Sequence, residues 1–161
     1  MTFSSLSIAN YFLSLQDQEA GDTITHLKLQ KLIYYAEAWN LVFSNGAPLI
    51  NEDFEAWVHG PALPSVYAHF SSHGWSPLQA DTSEPPPPHQ IQRHLDEVWK
   101  AYGPYSAKAL EEFTHAEVPW KEARGDLGPL DRSKNPISKQ TMKKYYTEMY
   151  ETEFEEAPKE N

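Results

Sequence analysis

The chain has 161 residues and no cysteine, which excludes disulfides, thiolate catalysis and Cys-based zinc sites. Apolar residues make up 40% and charged ones 22%, ordinary globular usage, so one domain with an unaided core is expected. The net charge of −10, from 13 basic and 23 acidic residues, argues against nucleic acid as a direct ligand and favours a basic protein partner.

No stretch approaches the roughly 18 consecutive apolar residues of a membrane span. The opening MTFSSLSIANYFLSL lacks a positive n-region and is interrupted by Ser7, Asn10 and Ser14, so no signal peptide is expected. With no cysteine, this predicts a soluble cytoplasmic protein.

Along the chain, Ser5 or Ser7 caps a first helix with Ile8, Phe12 and Leu15 at i, i+4, i+7. Thr25 offers the N-cap of a second, central helix. Leu29, Leu32, Ile33, Ala36 and Phe43 line one of its faces; Leu27, Tyr35, Trp39 and Val42 line a neighbouring one. A helix apolar over so much of its circumference is touched from several sides. Lys28, Gln30, Lys31 and Glu37 are left for a solvent strip, and Gly46 is a natural stop.

Phe54, Ala56 and Val58 then alternate with Glu55, Trp57 and His59, a short strand signal broken by Gly60-Pro61. Pro64 fits the first turn of a third helix carrying Val66, Tyr67 and Phe70, with Gly74 at its end. Residues 76–89 hold Pro77 and the run Pro85 to Pro88. They read as an exposed, stiff connection inside the domain more than as an SH3-type ligand.

Ile91, Leu95, Val98 and Tyr102 mark an amphipathic helix ended by Gly103-Pro104. Ser106 caps the next, with Ala109, Leu110 and Phe113 expected inward. Val118 precedes a proline and is pushed toward extended geometry, so that helix ends near His115 and Pro119 starts a short turn, PWKEAR. Ile137 and Met142 flank a Ser138 N-cap at staple spacing, and Met142, Tyr145, Tyr146 and Met149 form the last buried stripe. Six glutamates against one lysine in residues 148–161 give an acidic end, a solvated and frayed helix terminus.

Chemistry is sparse. His69 and His73 stand at i, i+4, but two ligands at a helix end do not make a zinc site, so no metal is expected. His115 and Glu117 could do acid–base work if a pocket held them together; the competing reading places His115 on a helix C-terminus and Glu117 at the start of the following turn. No GxSxG, P-loop or GxGxxG is present. Trp57, His59 and Tyr67 bracket the Gly-Pro break and would form an aromatic docking patch if exposed, or core if not.

Three stretches, LKLQKLIYYAEAWNL, EAWVHGPALPSVYAHF and YGPYSAKALEEFTHAEVPWKEAR, together resemble the Panacea domain, or SocA-like antitoxin domain, a phage-associated family. The likeness runs from about Ile8 to Tyr146, with KLQKLIYYA, AWxxGP and THxExPW in family order. It implies a mainly helical antitoxin, usually encoded beside a toxin that it neutralises by direct contact. Partner toxins of the family are diverse and include nucleotide-transferring toxins that attack tRNA. Residues matching the family pattern are Lys28, Lys31, Tyr34, Tyr35, Trp39, Ala56, Trp57, Gly60, Pro61, Tyr67, His115, Glu117, Pro119 and Trp120. His59 stands where an aromatic or basic residue usually precedes Gly-Pro, and Ala62 replaces a commoner valine. The DNA-binding segment that precedes the domain in some relatives is not seen here, so autorepression by this chain alone is not expected.

The expected fold is therefore mainly α: a compact single-domain bundle of about six helices with at most a short β-hairpin near 52–62. The domain is expected over 1–150, with an acidic, mobile tail over 151–161. The leading functional expectation is a non-catalytic antitoxin without cofactor. Trp57, His59, Tyr67, Lys28, Lys31 and Tyr34 are candidates for partner binding, while Trp39, Gly60, Pro61, His115, Glu117, Pro119 and Trp120 are expected to be structural. The alternatives are a proteolytic adaptor that hands a toxin to a protease through the acidic tail, and a small enzyme using His115 and Glu117.

Overall fold

A computed structural model describes residues 1–74, 76–81 and 84–156, the last three by backbone alone. Among these, seven α-helices surround one small antiparallel hairpin. They are α1 (Ser5–Leu15), α2 (His26–Phe43), α3 (Pro64–Phe70), α4 (His89–Tyr102), α5 (Ala107–Ala116), α6 (Val118–Arg124) and α7 (Lys139–Glu156), with strands β1 (Glu55–Trp57) and β2 (Gly60–Ala62) between α2 and α3. The fold is mainly α, as expected, and the short turn after Pro119 is a seventh helix.

Local chemistry sets the helix starts. Thr25 caps α2 by accepting from the Lys28 backbone N–H, and Ser106 caps α5 through Ala109 N–H. Ser138 accepts from Thr141 N–H at 3.2 Å, with Ile137 and Met142 both buried beside it. The first helix is capped one residue earlier than expected, by Ser4. The break between α5 and α6 falls at Glu117 (φ −97°, ψ 146°) rather than at Val118. Pro119 sits in the first turn of α6, where its missing N–H has no intrahelical role to lose.

Helix α2 is the axis of the molecule, packed against α1, α3, α4, α5, α7 and β2. Every residue from Lys28 to Ala38 is buried. Burying a Leu, Ile or Phe side chain contributes about 1.5–3 kcal/mol, so Leu29, Leu32, Ile33 and their partners Ile8, Phe12, Leu63, Leu95 and Leu110 carry much of the driving force.

The solvent strip expected on α2 does not exist. Lys28, Gln30, Lys31 and Glu37 are all buried, and each fastens a backbone group of another segment. Lys28 Nζ donates to Gly103 O at 2.7 Å and Lys31 Nζ to Pro61 O at 3.0 Å. Gln30 donates to Leu63 O at 3.1 Å and accepts from Leu63 N–H at 2.8 Å. Glu37 accepts from Leu49 N–H at 2.6 Å and pairs with Lys139 at 3.0 Å. Irregular backbone buried against a helix needs such partners, because an unpaired buried peptide group costs about as much as a lost hydrogen bond.

Two further expectations are corrected. Phe43 is 62% exposed and Phe113 36% exposed, not core. Phe43 occupies the last residue of α2 and packs on Trp39 and Tyr150, while Phe113 lies edge-on to Tyr105. The proline-rich connection is exposed along most of its described length, yet Leu78 and Pro87 are buried. It is tied to α1, where Ser7 donates to Pro85 O at 2.8 Å and Asn10 pairs with Asp81. The expected tail starts inside α7, and residues 157–161 lie outside the described residues, as do 82 and 83 of the connection.

Candidate protein-docking site

The hairpin brings the second motif onto the first and third. β1 and β2 pair in the register Ala56–Pro61, with Trp57 opposite Gly60. Gly60 has φ +107°, a conformation L side chains rarely adopt, and a Cβ there would lie 2.6 Å from Lys31 Cε and 2.8 Å from Thr114 Oγ1. The glycine thus lets the strand backbone close onto α2 and α5. Trp120 reaches back from α6 to donate to Trp57 O at 2.8 Å. Arg124, also buried, donates to Ala56 O, Gly128 O and Asp131 O while lying over Trp120.

Outward from this junction lie Trp57, His59 and Tyr67. Trp57 is half-buried, Tyr67 is 46% exposed and His59 is exposed. The Trp57 and Tyr67 rings meet edge-on at 5.2 Å, and His26 lies 4.9 Å from Tyr67. His59 Nδ1 pairs with Glu111 Oε1 at 3.0 Å. Trp57 and Tyr67 thus form one pair beside the break, and His59 is turned to α5 through Glu111. Lys28, Lys31 and Tyr34 do not join them: they are at most 8% exposed, and the expectation that they flank a polar strip is overturned because their polar atoms face inward.

Beneath the hairpin, buried Lys31, Glu111 and Thr114 form a polar cluster with the half-buried His115. Desolvation lowers the Lys31 ammonium to about 7, against the opposing pull of Glu111. His115 stacks on Trp120 at 4.1 Å and is 3.9 Å from Glu111; desolvation lowers its imidazole below the ordinary value, and a hydrogen bond with the Val58 backbone opposes this. Its ring turns away from the free carbonyls of its own helix end.

Glu117, two residues on, belongs to a different network. Its Oε1 accepts from Tyr35 Oη at 2.6 Å and from Tyr146 Oη at 2.9 Å, and Tyr34 Oη lies 3.0 Å from Tyr146 Oη. Burial raises the Glu117 carboxyl, partly offset by the two phenols. Tyr35 stacks on Tyr102 at 4.1 Å, whose hydroxyl accepts from Trp39 Nε1 at 2.8 Å. His115 and Glu117 share no hydrogen bond or ion pair among the described residues, so the acid–base pair considered from sequence is divided between two networks. His69 is paired with Asp81 at 3.0 Å, and among the described residues no group of three His, Asp or Glu is placed to hold a metal. Among the described residues, no helix is long and apolar enough to cross a membrane.

Sequence reasoning missed a second aromatic cluster at the far end of α2, where Phe43, Tyr105, Phe113 and Tyr150 are all partly exposed. The available signal was the density of rings at helix ends: Phe43 closes α2, Tyr105 follows α4 and Tyr150 sits in the acidic part of α7.

The family described as "Antitoxin SocA-like, Panacea domain" matches residues 29–121. Antitoxin SocA of Caulobacter vibrioides (strain NA1000 / CB15N) is 37% identical over 111 residues, 60% of this chain and 58% of that protein. The chain therefore spans less than two thirds of the length of the curated relative it matches. No solved structure matches it. With more than half of its length matched, from the buried face of α2 through the Trp120 anchor, the chain belongs to the SocA-like antitoxin, Panacea domain family.

Proposed function

We propose that the protein is the antitoxin of a toxin–antitoxin pair and that it neutralises its toxin by direct contact, without catalysis. One observation carries this reading: key polar groups of the three motif stretches work inside the protein. Lys31 holds Pro61, Glu117 holds Tyr35 and Tyr146, and Trp120 holds Trp57. These residues build a scaffold, and around the hairpin Trp57, His59 and Tyr67 are left at or near the surface for a partner.

A relative called Antitoxin SocA supports the class of function, and the net charge of −10 supports a toxin with a basic face, such as one that handles nucleic acid. The division of His115 and Glu117 between separate networks weighs against the enzyme alternative. The test is co-expression with the product of the adjacent gene. That product alone should arrest growth and this chain should restore it; a harmless neighbour, or arrest unaffected by this chain, would remove the reading.

A further inference from the structure

Between the C-terminal half of α2, α4, the turn after it, α5 and the end of α7 lies an open groove of about 370 Å³. Trp39, Val98, Tyr102 and Met149 line it. Its edges are rings that support one another. Phe43 meets Tyr150 edge-on at 5.4 Å, and Tyr105 meets Phe113 at 4.9 Å. These four rings are between 36% and 62% exposed. A single exposed apolar side chain is ordinary, whereas a contiguous aromatic patch marks an interaction surface.

The groove has few polar groups to orient a small molecule. His94 turns inward to Ala36 O at 2.9 Å, and Tyr102 already accepts from Trp39. Glu97 and Glu153 lie at its margin. Glu97 is answered by the exposed Lys100 at 3.2 Å, but Glu153 belongs to a stretch of α7 that also carries Glu148 and Glu151 and has no basic residue. On the α7 side Met149 and the carboxylate-bearing Glu153 line the groove, and its floor is aromatic.

Resting on the antitoxin reading, we infer that this groove seats a helix of the toxin that carries an apolar face and lysines or arginines on its α7-facing flank. Apolar anchors at i, i+3 and i+4 would enter between the Phe43–Tyr150 and Tyr105–Phe113 pairs, the usual way an amphipathic helix occupies such a groove. The basic flank would lie along Glu153. A second copy of this chain, itself at a net charge of −10, is a poorer occupant than a basic partner.

The experiment titrates a fluorescent amphipathic Leu/Lys peptide against the full chain, with a Leu/Glu peptide of the same pattern as control. The Leu/Lys peptide should bind saturably and weaken with salt, and the Leu/Glu peptide should not bind. Phe43→Glu and Phe113→Glu should each weaken binding by about tenfold or more, as central aromatic anchors do, and Glu153→Lys should weaken it less. Leu130→Ala, at an 84% exposed residue that does not line the groove, should leave it unchanged. Circular dichroism on each variant confirms the fold. Absence of saturable binding, equal binding of the acidic peptide, or indifference to Phe43→Glu and Phe113→Glu would overturn the inference. In cells, groove variants that rescue growth as well as the wild-type chain overturn the groove and leave the antitoxin reading standing. If the wild-type chain itself fails to rescue, the antitoxin reading falls and the peptide titration alone decides the groove.

Discussion

The hydroxyl of Tyr35 donates to Oε1 of Glu117 across 2.6 Å, joining the middle of α2 to the single extended residue between α5 and α6. Tyr146 donates to the same oxygen from α7. One carboxylate thus fixes the relative position of three helices through two buried phenols. Glu117→Gln keeps an acceptor of the same shape and should fold with a loss of about 1 kcal/mol or less. Glu117→Leu strands the Tyr35 hydroxyl and leaves Tyr146 only its bond with Tyr34, and should lose about 1–3 kcal/mol, the cost of an unsatisfied buried group. Urea unfolding of the two variants makes the comparison. Equal stability of the two would mean that the carboxylate is not the fastening described.

Lys31 gives a pH dependence with a definite sign. Its ammonium titrates at about 7 in the folded protein against an ordinary value of 10.5. Between those limits the unfolded chain holds a proton that the folded chain has lost, so this group adds stability as pH rises from 7 toward 10.5. Below 7 the full cost of burying the charge remains. The difference in unfolding free energy between wild type and Lys31→Met should therefore grow in favour of wild type across this window, by up to about 1.4 kcal/mol per pH unit. His26 and His115, both lowered from 6.5, titrate below the window. The buried tyrosines are common to both proteins. A difference that stays flat from pH 7 to 10 would contradict the burial of a titrating Lys31.

Gly60→Ala should be among the most damaging single substitutions. It combines a φ of +107° with a Cβ placed 2.6 Å from Lys31 and 2.8 Å from Thr114. Strain at such a backbone costs about 1–3 kcal/mol before any packing adjustment. Thermal unfolding should show a loss of at least that size, whereas Gly125→Ala, also at positive φ but with open space around it, should lose less. The reverse order would show that the close approach of β2 to α2 is not what demands glycine.

The hairpin surface should behave as a surface. His59 is exposed although its partner Glu111 is buried, and Glu111 keeps Lys108 at 3.7 Å, so His59→Ala should change stability by no more than about 1 kcal/mol. Tyr67→Ala should do likewise. If these residues meet the toxin, the same variants should lower complex formation while melting temperatures hold; unchanged affinity for both would remove the hairpin from the interface.

Much of the fold was legible because its signals are local. Thr25, Ser106 and Ser138 announce helix starts through their own hydroxyls, and the staple of Ile137 and Met142 needs only six residues of context. Gly60-Pro61 announced a break, and the hairpin formed there. The polar face of α2 was misread for a physical reason. Lys28, Gln30, Lys31 and Glu37 have partners on Gly103, Leu63, Pro61 and Leu49, and no periodicity within the helix records a distant peptide group. The aromatic groove escaped for the related reason that Phe43 and Phe113 follow a core-like spacing. Their exposure depends on where neighbouring helices end. The candidate site was legible as residue types at the hairpin, and its depth was not.

The central claim is neutralisation by binding, and its most direct test is a titration of purified toxin activity with the purified chain. The account predicts that inhibition rises linearly and is complete at a fixed stoichiometric ratio, with a complex of the same composition isolated at the endpoint. Complete inhibition at a small fraction of the toxin concentration, or inhibition with no isolable complex, would contradict it and return the function to catalysis.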